Sequence, residues 1–100
     1  TQVLERYFFN ISDQSIHSYV KYENGGVLKY IYQNGQLLFC IYKLPRNSDR
    51  EMKGGLYFFE DNQLKEKEEY NIEPLKQAEI LLRAQEVYAK AAILLQKERK

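Results

Sequence analysis

The sequence predicts an α+β fold, in which an antiparallel β-meander of five to six strands packs on one long C-terminal α-helix. Residues 3–69 contain short runs of alternating aromatic and aliphatic side chains, which are typical of strands. Two-residue turn signals separate several of these runs, so neighbouring runs are expected to pair as hairpins. Residues 75–97 contain no Gly or Pro and are dominated by strong helix formers.

The length and composition indicate a single domain. The chain has 100 residues, of which 44% are hydrophobic and 29% are charged, close to the values for globular proteins. We therefore expect residues 1–100 to form one domain, with the β-meander in 1–70 and the helix in 71–98. Lys and Arg number 15 and Asp and Glu number 14, so a net charge of +1 provides no field that would attract nucleic acid.

Six strands are predicted from the alternating runs. Their ranges are 3–9, 17–23, 27–33, 36–43, 56–60 and 63–69. Asn34-Gly35 is the strongest hairpin signal, because both central residues of a type I′ turn need positive φ. The stretch 44–55 contains Pro45 and a Gly pair, and we predict that it forms a long exposed loop.

The Asn34-Gly35 turn predicts a register for its hairpin. Counting outward from the turn without interruption pairs Tyr32 with Leu37, Tyr30 with Phe39 and Leu28 with Ile41. Because side chains alternate along a strand, these pairs share one face, which we predict to be the core. The opposite face is predicted to hold Val27, Ile31, Leu38 and Tyr42, and a partner is expected to cover it in part.

The predicted helix has a wide apolar arc. Asn71 is expected to be its N-cap, with Glu73 and Pro74 in the first turn. One apolar stripe contains Leu81, Ala84, Tyr88, Ala91, Ala92 and Leu95, and a neighbouring stripe contains Ile80, Val87 and Leu94. About 25 residues make a helix of roughly 38 Å, whereas a six-residue strand spans only ~20 Å. We therefore expect the C-terminal half to contact a second helix, from a partner chain or from another segment; the alternative is that the last turns lie in solvent.

No catalytic or metal-binding pattern is present in the sequence. Cys40 is the only cysteine and His17 the only histidine, so no zinc-ligand spacing exists, and Cys40 is expected to be a small buried hydrophobe. Glu66, Glu68 and Glu69 alternate with lysines, which is typical of an edge strand protected against aggregation. We predict that the chain is not an enzyme, has no cofactor and binds no nucleic acid. No apolar run reaches the ~18 residues that cross a bilayer.

Two hairpin segments carry a resemblance to a known group of proteins. They are Leu28-Lys-Tyr-Ile-Tyr-Gln-Asn-Gly-Gln-Leu-Leu-Phe39 and Leu56-Tyr-Phe-Phe-Glu-Asp-Asn-Gln-Leu64. Residues 20–95 resemble uncharacterised bacterial secreted or envelope proteins, in which a Tyr-x-(Asp/Asn)-Gly-Lys-Leu-x-Phe hairpin precedes a Tyr-Phe-Asp-(Asn/Gly)-Lys-Leu hairpin and a closing helix. Asn62 departs from that pattern, since the group tends to have Gly there. The resemblance implies an antiparallel fold and an envelope or secreted location, and it implies no activity.

Two functional hypotheses follow from these observations. The first is a non-enzymatic binding or assembly module, whose partner is another protein or a second copy of the chain. Its predicted interface consists of Ile80, Val87, Tyr88, Ala91, Leu94 and Leu95 on the helix with Ile31, Leu38 and Tyr42 on the sheet. The alternative is a binder of a small ligand, a glycan or a lipid, which would use Tyr side chains and the 44–55 loop.

Overall fold

A computed structural model describes residues 3–10, 12, 15–23, 25–44, 53–71 and 77–98. The elements are β1 Val3–Phe9, β2 Ile16–Glu23, β3 Gly26–Gln33, β4 Gln36–Lys43, β5 Gly54–Glu60, β6 Gln63–Tyr70 and α1 Gln77–Glu98. The six strands form one sheet in chain order, and every neighbouring pair is antiparallel. The predicted α+β meander with a C-terminal helix is therefore confirmed. Within these ranges no helix is long and apolar enough to cross a membrane.

The turn between β3 and β4 has the predicted conformation. Asn34 and Gly35 have φ values of 52° and 77°, and the β5–β6 turn repeats this pattern at Asp61 and Asn62, with 54° and 61°. Asn71 follows β6 and also has a positive φ, 51°. That left-handed conformation differs from the extended one that an N-cap usually adopts. The predicted first turn of the helix, which includes Glu73 and Pro74, lies outside the described residues, as does 45–52 of the predicted loop.

A β-bulge in the β3–β4 hairpin changes the predicted register. Tyr32 pairs with Leu37 as predicted, but the next pair is Ile31 with Phe39. Leu38 is therefore the extra residue on β4. Every β4 side chain beyond the bulge points to the face opposite to the one we predicted, because a one-residue shift reverses the alternation.

The predicted pairs beyond the bulge are therefore wrong. The structure pairs Tyr30 with Cys40 and Leu28 with Tyr42, and it pairs Ile31 with Phe39 on the other face. Tyr42 thus lies on the helix-facing side of the sheet, whereas Ile31 lies on the opposite face, as predicted. The bulge is invisible in the sequence because Leu37, Leu38 and Phe39 are all apolar.

The helix runs across the strands, along the end of the sheet that carries the β1–β2, β3–β4 and β5–β6 turns. Near its start, the side-chain amide of Gln77 donates to the carbonyl oxygen of Asn62 in the β5–β6 turn, at 3.4 Å. Further along, the Tyr32 hydroxyl donates to the carbonyl oxygen of Ala84 at 2.8 Å. Towards the helix end, Leu95 lies beside the β1–β2 hairpin.

This direction explains the length of the helix. The 22 residues of α1 extend about 33 Å, and six strands at ~4.8 Å spacing make a sheet about 29 Å wide. The expectation that the helix is too long for the sheet is wrong, because it compared the helix with the length of a strand instead of the width of the sheet. The sheet itself therefore covers one apolar stripe along the helix.

The core on the helix-facing side is built around tyrosines. Neighbouring strands place Tyr7, Tyr19, Tyr30, Cys40 and Tyr57 in one row across β1 to β5. The ring centroids of the first two tyrosines are 5.0 Å apart, and those of the second and third are 6.1 Å apart. All of the row except the first residue is buried. Most of the tyrosines therefore serve the core and are not available as a surface for ligands.

Candidate interaction surface

The face of the sheet opposite the helix is not covered by any described element. The strand registers place its side chains in three rows, which we call together the outer face. From β1 to β6 the rows are Leu4–Tyr22–Val27–Lys43–Gly54–Tyr70, Arg6–Val20–Lys29–Ile41–Leu56–Glu68 and Phe8–Ser18–Ile31–Phe39–Phe58–Glu66. Most of these side chains are apolar, so the meander has an apolar surface on both sides.

Large apolar side chains on the outer face remain exposed. Leu4, Phe8, Tyr22, Phe58 and Tyr70 keep between 41% and 48% of their surface accessible. Six strands at ~4.8 Å and six residues at ~3.3 Å give the face a footprint of roughly 580 Å². About 60% of the positions on the face are apolar, roughly 350 Å², and exposed apolar patches of a few hundred Å² are often binding sites.

The centre of the outer face is closely packed even without a covering element. The rings of Phe39 and Phe58 contact each other across β4 and β5, with centroids 4.4 Å apart. Ser18 and Val20 are only 4% and 6% accessible, because the larger side chains around them close over them. The surface is therefore formed before any partner binds, and a partner would not have to order it.

Charges on the outer face are divided by sign. Basic Arg6, Lys29 and Lys43 lie on β1, β3 and β4, whereas acidic Glu66 and Glu68 both lie on the edge strand β6. Arg6, Lys29 and Glu66 form no ion pair with any other described residue. The face thus has a basic half and an acidic edge, with free charges that a partner could pair.

The helix residues of the predicted interface mostly face the chain's own sheet. Ile80 and Ala91 are buried in the core, and Val87 and Tyr88 are half-buried against it. Leu95 is also half-buried, beside the β1–β2 hairpin. The structure does not bring these side chains together as a free surface.

The remaining predicted residues are divided between the two sides of the molecule. Leu94 is 37% accessible on the helix, and Leu38 is 43% accessible at the bulge. Ile31 lies in the outer face, while Tyr42 lies on the helix-facing side. The exposed residues of β1 and β5 that complete the outer face were missing from the predicted interface. Their signal is the alternation Leu4, Arg6 and Phe8 on β1, whereas the prediction of the second face covered only the β3–β4 hairpin.

The predicted 44–55 loop is wrong at its last two residues, because Gly54 and Gly55 begin β5, and one cavity lies at this end of it. The volume of the cavity is about 310 Å³ and it is lined in part by Tyr42, Gly55, Leu56 and Tyr70, at the ends of β4 and β5 and of β6. Most of its lining residues belong to the outer face, and the ring of Tyr70 on that face could stack on a flat ligand. This is the described feature closest to the predicted ligand site.

The ionisable groups of the described residues were compared with the requirements of a metal site and of a reactive thiol. Among the described residues, no three His, Cys, Asp or Glu side chains are grouped as metal ligands would be. Cys40 is buried, and burial raises the pKa of its thiol to about 12, so the thiol is neither accessible nor ionised near neutral pH. Burial also raises the pKa of Tyr19, and so does the hydrogen bond of 2.7 Å that its hydroxyl donates to Glu5 Oε1. Comparison of the chain with protein-family models, with curated proteins and with solved structures finds no match.

Proposed function

We propose that the chain is a non-enzymatic binding or assembly module and that the outer face binds a protein. The observation that carries this proposal is the group of exposed aromatic residues on a sheet face that no described element covers. Phe8, Phe58, Tyr22 and Tyr70 are the residue types that anchor interfaces, and charged side chains lie among and beside them.

The size of the outer face is sufficient for a specific but modest affinity. About 60% of its positions are apolar, so binding would remove roughly 350 Å² of apolar surface on this side. At about 25 cal/mol per Å² this contributes roughly 9 kcal/mol, and a matching partner contributes a similar amount. The cost of association is about 4–15 kcal/mol, so apolar burial alone leaves a surplus of roughly 3–14 kcal/mol. The polar and charged residues would then decide which protein binds.

Site-specific photo-cross-linking tests this proposal. A benzophenone amino acid is placed at position 58 in the full-length natural protein, with the same residue at position 82 as the control, because Leu82 is 57% accessible on the helix. We expect a discrete protein adduct from position 58 and none from position 82. The absence of an adduct from position 58, or equal adducts from both positions, would contradict the proposal. The mass of the adduct identifies its partner.

The cavity beside the 44–55 loop favours a second candidate function, a binder of a small glycan or lipid. Octyl glucoside, which has both a sugar and an alkyl chain, is a suitable probe below its micelle concentration. A ligand at about 100 times its Kd raises the free energy of unfolding by ~2.7 kcal/mol. We expect a rise in Tm that is lost in Tyr70→Ala. No rise in the natural chain, or an equal rise in the variant, would exclude this candidate.

A further inference from the structure

We propose that the protein bound by the outer face is a second copy of this chain, stacked face to face around a two-fold axis parallel to the strands. The inference rests on the proposed function and adds the identity of the partner. The resulting dimer would be a β-sandwich with one helix on each outside. Its support comes from the pattern of charge and side-chain size across the three rows of the outer face.

Two orientations bring identical sheet faces together around a two-fold axis. Stacked sheets lie ~10 Å apart, with strand directions within about 30° of each other. An axis parallel to the strands keeps each row opposite itself and places β1 over β6 of the second copy. An axis across the strands places each strand over itself and leaves only the middle row opposite itself. The middle row therefore distinguishes the two orientations.

The charges of the middle row favour the axis parallel to the strands. In that orientation Arg6 lies opposite Glu68 of the second copy, and symmetry forms this pair twice. In the other orientation Arg6, Lys29 and Glu68 each lie opposite the same residue, so three sets of like charges meet. The hydroxyl of Tyr70 donates to Glu68 Oε2 at 2.7 Å on this same face, which holds the carboxylate in place.

Large side chains meet small ones in both orientations, since the axis across the strands places Tyr22 opposite Ser18 and Phe58 opposite Gly54. The axis parallel to the strands exchanges these partners. Phe58, which is 42% accessible, lies opposite Ser18 of the second copy, and Tyr22 lies opposite Gly54. In each pair a large exposed ring meets one of the smallest residues of the face. Two flat apolar faces can interdigitate only where large residues meet small ones. The sizes are therefore compatible with a face-to-face dimer, and the charges of the middle row select the orientation.

Three charged side chains, Lys29, Lys43 and Glu66, have no opposite charge across the dimer, and Lys29 lies nearest its centre. Lys29 is half-buried in the middle row and lies opposite Ile41 of the second copy. Its ammonium group would lose solvent on dimerisation and has no acidic residue opposite it, which costs affinity. Replacing Lys29 with Leu is therefore expected to strengthen the dimer. The same change would weaken binding to an acidic protein. The Lys29→Leu variant therefore distinguishes a second copy of the chain from an acidic partner.

The area of the dimer interface determines the affinity that we expect. Two footprints of roughly 580 Å² give a buried surface of at least about 1,200 Å², at the lower end of specific interfaces. With Lys29 at the centre, we expect a Kd on the order of micromolar. The dimer should then be visible by sedimentation velocity between about 1 and 100 μM, as a change from the 12.0 kDa monomer to twice that mass.

Charge reversal tests the orientation. Arg6→Glu and Glu68→Arg should each weaken the dimer by at least about tenfold, because symmetry places two like-charged pairs in each variant homodimer. An equal mixture of the two variants should restore the natural affinity, because every pair in the mixed dimer is again opposite in sign. Lys90→Glu on the exposed side of the helix makes the same change in net charge as Arg6→Glu and should leave the Kd unchanged. Circular dichroism confirms that each variant is folded.

Several results would overturn the inference. A natural chain that stays monomeric at about 100 μM excludes the dimer, and a mixture that does not recover affinity excludes the proposed axis. Weaker association of Lys29→Leu would contradict the second copy as the partner. A cross-link from position 58 to a protein of different mass would also exclude the second copy while supporting the proposed function. The absence of any adduct from position 58 would end both proposals.

Discussion

The hydrogen bond that joins the helix to the sheet is the contact with the most direct consequence for stability. The Tyr32 hydroxyl donates to the carbonyl oxygen of Ala84 at 2.8 Å, between positions 52 residues apart, and the bond is buried. In Tyr32→Phe the ring remains while the bond is lost. The Ala84 carbonyl lies inside α1 and still accepts its helical hydrogen bond, so the expected loss is the net value of one bond, about 1 kcal/mol.

Urea unfolding followed by circular dichroism measures this loss, and thermal unfolding should show a Tm lower by about 4–8 °C for a domain of this size. The matched control is Tyr22→Phe, because Tyr22 is 44% accessible on the outer face, and its loss should stay within about 0.5 kcal/mol. Equal changes in the two variants would refute the assignment of a specific role to the Tyr32 hydroxyl. A loss above about 3 kcal/mol would refute it as well, since it would mean that Ala84 is left without any partner.

Three further expectations concern the core. In Gly55→Ala the new Cβ would lie 2.6 Å from the buried Tyr57 hydroxyl oxygen, so the free energy of unfolding should fall by about 1–3 kcal/mol, measured in urea. Cys40 should resist a thiol reagent in the native state and react fully in denaturant; equal rates would show that it is accessible. Burial raises the pKa of Cys40, Tyr30 and Tyr32, so each is stabilising below its unfolded pKa, and that contribution is lost as the pH rises above it. Above about pH 10 the free energy of unfolding should fall by roughly 4 kcal/mol per pH unit from these three groups, and a constant value between about pH 9 and 11 would contradict this.

The hairpins and the fold class could be predicted from the sequence because their causes are local. Asn34-Gly35 requires positive φ at two adjacent residues, and no distant contact is needed to select that turn. The alternation of side chains on either side of the turn then fixes two antiparallel strands. The C-terminal helix follows from composition in the same way, since strong helix formers occupy nearly every position.

The faces of the sheet could not be predicted with the same rules. The bulge at Leu38 inserts one residue among three consecutive apolar ones, so no change in the hydrophobic pattern marks it. The direction of the helix is a tertiary property, because it depends on which strands the apolar stripe of the helix contacts. The hydrophobic periodicity of the helix sequence is the same whether the helix lies along the strands or across them. The bulge accounts for the error at Tyr42, and the direction of the helix accounts for the error about its length.

The order of the strands has a consequence for how the chain folds. Each strand bonds only with the strands before and after it along the chain, so each pairing closes a short loop at little entropic cost. The contact between α1 and the early strand β2 is different, because it joins segments separated by more than half of the chain. Sheet assembly can therefore progress hairpin by hairpin, and the docking of the helix is the long-range step that makes unfolding cooperative.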